Sequence, residues 1–309
     1  MERLHDLVIL GGGPAGYTAA LYAARSGMDV TVLEKLSAGG QMGLTAQIDN
    51  YPGFPEGING FALGQQMQAG AERFGAKTLL AEVTAAHLTG PVKKLGTSEG
   101  PIQARAVILA TGATPRHLGL AGEEALTGRG VHYCAACDGM FYKGKTVAVV
   151  GGGNSAVGDA LLLSRVAKEV VLIHRRDTLR ASASYNEALK GAENLTIRWN
   201  TVVTELLHDQ RLTGLALRDT VTGQTSTLPF DGVFISVGRA PATELFQGQV
   251  TLDAAGYVQA DETTRTNLPG VFAVGDLRTK PLRQVVTAVA DGAVAVHFVE
   301  EYLTQDGAH

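Results

Sequence analysis

A glycine-rich strand–turn–helix pattern occurs twice in this chain, 140 residues apart, and few folds accommodate that. Residues 6–10, Asp-Leu-Val-Ile-Leu, are a short apolar run of the kind a buried parallel strand presents. Gly11, Gly12, Gly13, Pro14, Ala15 and Gly16 follow, then an alanine-rich helical pattern to Ser26, a stop at Gly27, a second apolar run at 30–33 and an acid, Glu34. Shifted by 140 positions the order returns: a run at 146–150, then Gly151, Gly152, Gly153, Asn154, Ser155 and Ala156, a helix to about 167 and a run at 170–173. Gly13 to Glu34 and Gly153 to His174 are each 21 positions. This is G-x-G-x-x-G in its structural setting, where glycines let the main chain approach a pyrophosphate seated on a helix N-terminus. The expected fold class is α/β, with two Rossmann-like dinucleotide-binding domains related by internal duplication.

The copies differ where a dinucleotide's ribose would lie. Glu34 ends the first unit, and an acid there accepts hydrogen bonds from a free ribose 2′-hydroxyl but repels a 2′-phosphate. The second unit places His174, Arg175 and Arg176 there, with Arg180 one turn on. Arginines pair with a phosphate through charge-assisted, often bidentate bonds, so the second site is expected to take NADPH. The plainer alternative is a solvated basic cluster.

Between and after these units the chain gives further landmarks. Residues 37–60 are too long and polar for a plain connection, and Gln41 and Asn50 can reach a ring system through their amides. Residues 61–75 are expected to be helical, and 77–105 to form a small hairpin layer. A buried strand at 106–110 ends in Thr111 and Gly112, with a chain crossing at Pro115. A short helix and strands at about 195–207, 211–219 and 224–229 precede a buried strand at 233–237 and a second crossing at 238–241. Two crossings mean that the second domain is inserted into the first: 1–114, then 115–241, then 242–309 to finish the first. Near the end, residues 270–276 form a strand closing on Gly275 and Asp276, an acid able to hold a sugar hydroxyl or a phosphate-linked chain. Arg283, Gln284 and Val285 open a last long helix whose dipole can stabilise a reduced flavin.

The two cysteines, Cys134 and Cys137, lie between the glycine units, and Asp138 follows them. Thiols at this spacing can close into a disulfide and reopen, one attacking a partner's disulfide and the other resolving it. Redox work is the favoured reading. A structural disulfide suits a secreted chain, and a zinc site would need two ligands beyond His132 and the pair. Asp138, beside a reacting thiol, can shuttle a proton. The net charge of −4, without a basic run, argues against nucleic acid as a partner. No window approaches the roughly 20 apolar residues of a membrane span, and the acidic start is unlike a signal peptide, so a cytoplasmic setting is expected.

Together these residues resemble the low-molecular-weight thioredoxin reductases of bacteria over essentially the whole chain. The resemblance is carried by residues 11–16, Gly40 and Gln41, Asn50, Ala110, Thr111 and Gly112, residues 134–138, residues 151–156, His174, Arg175, Arg176 and Arg180, Gly275 and Asp276, and Arg283 and Gln284. It implies an FAD domain split over both ends and an NADPH domain between. FAD would be held by Gly11, Gly13, Pro14, Ala15, Gly16, Glu34, Gly40, Gln41, Asn50, Thr111, Gly112, Gly275, Asp276, Arg283, Gln284 and Val285. NADPH would be held by Gly151, Gly153, Asn154, Ser155, Ala156, His174, Arg175, Arg176 and Arg180, and no metal is implied. It further implies a homodimer, thioredoxin as the acceptor, rotation of the domains between half-reactions, Cys137 as the thiol nearer the flavin and Cys134 as the attacking one. Departures are Ala136 where threonine is usual, Gly158-Asp159 where a Glu-Glu pair is common, and Gly43-Leu44 where threonines often stand. The alternatives are a flavin disulfide reductase for another acceptor and, outside the enzymes, a nucleotide-binding redox sensor.

Overall fold

The first element, β1 (Leu4–Leu10), buries Leu7, Val8, Ile9 and Leu10 in succession, the pattern of a parallel strand covered on both faces. This computed structural model describes residues 3–45 and 47–306. It divides into two units, one holding the residues up to Thr114 and from Ala240 onward, the other Pro115–Arg239.

In the first unit, α1 (Pro14–Arg25) begins on a proline, which fits a first turn whose N–H has no helical partner. β2 (Val30–Glu34) pairs parallel with β1. α2 (Gly60–Glu72) is capped by Asn59, whose side chain accepts from the Ala62 N–H at 3.1 Å. β3 (Lys77–Leu80) pairs parallel with β2. β4 (Val83–His87), β5 (Lys93–Thr97) and β6 (Gly100–Leu109) then run antiparallel to one another. The hairpin layer expected over 77–105 is present as β4, β5 and β6, and it is continuous with the parallel strands in one seven-stranded sheet. The cause is the length of β6: its first half pairs with β5, and from Gln103 onward it lies parallel to β1. β7 (Ala113–Pro115) leads into the second unit.

That unit opens with β8 (Val131–His132) and one turn of helix, α3 (Ala135–Asp138). β9 (Thr146–Gly151), α4 (Asn154–Ser164), β10 (Glu169–Ile173), α5 (Ala183–Leu189) and β11 (Leu195–Arg198) follow. β12 (Thr201–His208), β13 (Leu212–Asp219) and β14 (Thr225–Pro229) form an antiparallel ribbon, and β15 (Gly232–Ser236) returns to the parallel sheet, ordered β11-β10-β9-β15-β8. The single strand expected over 195–207 is two, split at Asn200, whose φ of +49° breaks an extended run. The duplication is visible in the hydrogen-bond register. Leu7 pairs with Val30 and Leu10 with Leu33; Val147 pairs with Val170 and Val150 with Ile173, each partner displaced by 140.

β16 (Arg239–Pro241) pairs with β7 in a two-stranded ribbon. The first unit is completed by β17 (Val271–Ala273), parallel to β6, and α6 (Val285–Asp306). α6 packs against α1 so closely that a side chain at Gly292 would run into the carbonyl of Ala15.

Candidate active site

The turn between β1 and α1 is shaped by two glycines with opposite surroundings. A Cβ at Gly16 would collide with the Gly11 carbonyl, so Gly16 is needed for the helix to sit on the turn. A Cβ at Gly13 would meet no atom within 4 Å, so Gly13 fronts open space at the helix N-terminus. Glu34 closes the side of this space: its carboxylate accepts from the Gly12 N–H at 2.7 Å and the Leu36 N–H at 3.0 Å.

Distant segments lie against this turn or against one another. The Gly39 N–H donates to the Gly12 carbonyl at 2.8 Å, bringing Gly40 and the exposed Gln41 to the mouth beside Gly13, Pro14 and Ala15. Thr111 and Gly112 follow β6 beside Gly11, and Thr111 Oγ1 donates to the Ala242 carbonyl at 2.7 Å. Asn50 Nδ2 donates to Gln284 Oε1 at 3.1 Å, placing the long loop against the start of α6 at Val285. Arg283 spans the same corner, its guanidinium donating to the carbonyls of Asp276 and Arg278 at 3.3 and 3.2 Å and lying 3.9 Å from the centre of the Tyr257 ring. Arg283 thus supports the Gly275-Asp276 turn.

Sequence reasoning missed the anchor of that turn. Asp291, buried in α6, accepts from the Gly275 N–H at 2.9 Å and pairs with Arg278 and Lys280 at 2.7 Å each. Burial alone would push its carboxyl up, but the bonds from Arg278 and Lys280 outweigh it and hold the group below the usual range.

The second turn repeats the design with different chemistry. Gly153 again fronts open space, while Gly151 leaves room for Ala156 and for the Ser236 carbonyl. The loop after β10 is laced to this turn: the Arg180 N–H donates to the Gly152 carbonyl at 2.7 Å, and the Ser182 N–H to Asn154 Oδ1 at 2.8 Å, with Ser155 exposed alongside. Arg175, Arg176 and Arg180 are exposed, and among the described residues none forms an ion pair. His174 does not join them. Its ring is buried against Gly152, with Nδ1 2.8 Å from the Gly151 carbonyl and Nε2 2.9 Å from that of Thr178. Its role is to pin the arginine loop to the glycine turn. Of the departures, Gly158 faces the Tyr185 ring and Asp159 accepts from Ser236 Oγ, its carboxyl raised by burial.

Cys134 and Cys137 are joined as a disulfide, both partly exposed. Cys134 is the N-cap of α3: its sulfur accepts from the Cys137 N–H at 3.2 Å. Asp138 is held by His132 Nδ1 at 2.9 Å. Met140 and Phe141 follow with 61% and 46% of their surface exposed, apolar area beside the reactive pair that composition did not reveal. Among the described residues no cluster suits a metal ion.

The family profile described as pyridine nucleotide-disulphide oxidoreductase matches residues 5–292. A thioredoxin reductase of Mycolicibacterium smegmatis is 48% identical over 305 residues, covering 98% of either chain. A bifunctional thioredoxin reductase/thioredoxin of Mycobacterium leprae is 43% identical over 306 residues, 98% of this chain and 67% of that one. Among solved structures, the thioredoxin reductase of Streptococcus pyogenes MGAS5005 superposes with a TM-score of 0.91 at 40% identity, covering 99% of this chain and all of that one.

Proposed function

The chain belongs to the pyridine nucleotide-disulphide oxidoreductases and, among them, to the thioredoxin reductases, and from that premise we propose how its own residues carry electrons from NADPH through FAD to thioredoxin. The observation that carries the proposal is the pairing of one disulfide with two glycine turns of opposite electrostatic character. The turn fronted by Gly13 and closed by Glu34 suits FAD: an open cradle for a pyrophosphate, and an acid for a free ribose. The turn fronted by Gly153 suits NADPH, because three exposed arginines, without ion-pair partners among the described residues, stand ready for a 2′-phosphate. Bound, the two cofactors supply hydride transfer from nicotinamide to flavin and a two-electron donor for the disulfide.

The protein's part is to bind, to orient and to move protons. Asn50, Gln284 and the α6 N-terminus border the flavin end of the first cradle, and the helix dipole favours negative charge there. Two electrons and two protons convert the Cys134–Cys137 disulfide to the dithiol. Cys137 faces the electron donor, Cys134 attacks the acceptor's disulfide, and Asp138 gives and takes the protons. The exposed Met140 and Phe141 provide apolar area that a protein acceptor covers. The two half-reactions are joined by turning of the FAD and NADPH domains about the crossings at 114–115 and 239–240. A homodimer is supported by apolar side chains left exposed on the helices of the first unit, Tyr22, Phe61 and Val286 among them. A cytoplasmic setting suits a cycling dithiol, and among the described residues no helix is long and apolar enough to cross a membrane.

The test is steady-state oxidation of NADPH by the FAD-loaded protein, with and without oxidised thioredoxin, beside NADH and a Cys137→Ser variant. Turnover is expected to require thioredoxin, to prefer NADPH by at least about tenfold through the arginine contacts, and to vanish in C137S. Flavin reduction without thioredoxin turnover would move the acceptor elsewhere; equal use of NADH would remove the assigned role of the arginines.

A further inference from the structure

Behind the disulfide, three side chains from neighbouring segments join in a row. His132, at the end of β8, is only 6% exposed. Its Nδ1 lies 2.9 Å from Asp138 Oδ2, and its Nε2 lies 2.7 Å from the Tyr142 hydroxyl. The imidazole stacks on Phe234 of β15 at 5.2 Å and meets Tyr142 edge-on at the same distance. Gly232 makes the room, since a Cβ there would overlap the Tyr142 ring.

Hydrogen-bonding capacity fixes how the row is wired. An ionised carboxylate only accepts, so Nδ1 carries the hydrogen and donates to Asp138, while Nε2 accepts from the Tyr142 hydroxyl. A hydroxyl can reverse its role. A proton entering the row makes an imidazolium that donates from Nδ1 to Asp138 and from Nε2 to the Tyr142 oxygen, with no change of geometry. The charged and titratable groups around it are few. Asp138 faces one ring nitrogen, and Tyr142 is flanked by Lys145, whose ammonium lies 5.3 Å from the ring centre, and by Arg211 and Asp231. Phe234 presents no polar atom to the row. Burial, the largest cause, pushes the Tyr142 hydroxyl up to about 12, so Tyr142 keeps its hydrogen through neutral pH.

We propose that His132 is a positioning residue for the thiol–disulfide exchange, holding the Asp138 carboxylate beside the Cys134–Cys137 pair and, with Tyr142, storing the proton that Asp138 passes. The proposal rests on Asp138 being the acid/base of that exchange. The Cys134 thiolate forms a bond to one acceptor sulfur, the acceptor's S–S bond breaks, and the leaving sulfur takes a proton. The Cys137 thiolate then attacks Cys134 Sγ, the mixed disulfide breaks, and the second acceptor sulfur takes a proton. The enzyme dithiol is oxidised by two electrons, the acceptor disulfide is reduced by two, and the two protons leaving the cysteines match the two received. The row takes up each proton as a cysteine ionises and returns it through Asp138.

The experiment compares FAD-loaded His132→Ala, His132→Asn, Tyr142→Phe and Asp138→Asn with the parent, by steady-state turnover of oxidised thioredoxin from pH 5.5 to 9 and by rapid mixing with NADPH alone. General acid catalysis is worth about 10²–10⁴-fold, and losing its alignment is expected to cost H132A about tenfold in kcat. KM for thioredoxin should stay within about twofold, because His132 and Tyr142 are themselves buried and do not touch the acceptor. Asparagine at 132 can still donate to Asp138 but cannot hold a proton, so H132N should recover part of the rate at low pH and fall off as pH rises. In H132A the pH profile of the thioredoxin step should change from the parent's, since the row no longer holds a proton for Asp138 to pass. Reduction of the flavin by NADPH should be unchanged in H132A, H132N and Y142F. An unaltered pH profile with kcat within twofold in H132A and H132N, while D138N is impaired, overturns the proposal alone. A D138N variant as fast as the parent overturns the assignment of Asp138 and the proposal with it.

Discussion

Gly13 and Gly16 occupy one turn, yet substitution at each is expected to fail for a different reason. Gly13 has φ −78° and ψ −176°, which any residue adopts, and its missing Cβ points at open space. Gly13→Ala should therefore fold normally and lose FAD, because the methyl group fills the cradle that the pyrophosphate needs. Gly16→Ala meets the Gly11 carbonyl and should destabilise the folded protein itself, by about 1–3 kcal/mol as overpacking does. Flavin content after purification, set beside the unfolding midpoint of the apo-protein, separates the two: G13A low in flavin with its midpoint kept, G16A low in both. At this scale the sequence was legible where a residue's type alone states its task. Glycines in a strand-to-helix turn, an acid or arginines after the second strand, and a paired thiol are of this kind. It was not legible where direction decides. His174 stands in line with Arg175 and Arg176, but its ring turns inward to two carbonyls while theirs stay in solvent. His132 reads as a stray metal ligand until β8 is seen to place it between Asp138 and Tyr142.

Among the elements, short-range patterns foretold more than pairings did. The strand–turn–helix–strand units were legible because both faces of each strand are apolar and each helix starts at a glycine turn; the shared register, offset by 140, follows from equal spacing. The ten-residue β6 was not legible as a strand shared by two neighbours, since its first half alternates and its second half is continuously apolar. The helix α6 hides a comparable surprise: Asp291 in a Val/Ala-rich stretch, tied to Arg278, Lys280 and the Gly275 N–H. Asp291→Asn leaves two buried cations short of a counter-charge and is expected to cost about 3–5 kcal/mol at pH 7. The folded carboxyl lies below its ordinary value, so its contribution is complete above the unfolded value of about 4 and is lost as pH falls through the folded one. The gap between D291N and the parent in urea unfolding should thus be widest near neutrality and narrow below about pH 4. A gap independent of pH would mean that packing, and not charge, accounts for the loss.

At the scale of the molecule, the chain passes between its units at only two places, and the buried apolar clusters respect that division. Leu7, Ile9, Ala19, Ile108, Phe272 and Val296 belong to one cluster of the first unit; Val131, Ala148, Val171, Leu215 and Val233 belong to one of the second, and among the described residues no buried cluster draws on both. A unit with its own core holds most of its cooperativity within itself. The intact protein is therefore expected to show two calorimetric transitions. A ligand stabilises what it binds by about 2.7 kcal/mol at a hundredfold excess over Kd. NADP+ should raise only one transition, by roughly 5–15 °C for a unit of this size, and release of flavin fluorescence should follow the other. Substituting Arg175 and Arg176 by alanine should abolish the NADP+ shift and leave the flavin-linked transition in place. Should NADP+ instead raise both transitions together, the two units unfold as one. The independence read from their separate cores would then be lost, and the motions between half-reactions would have to be sought inside the units.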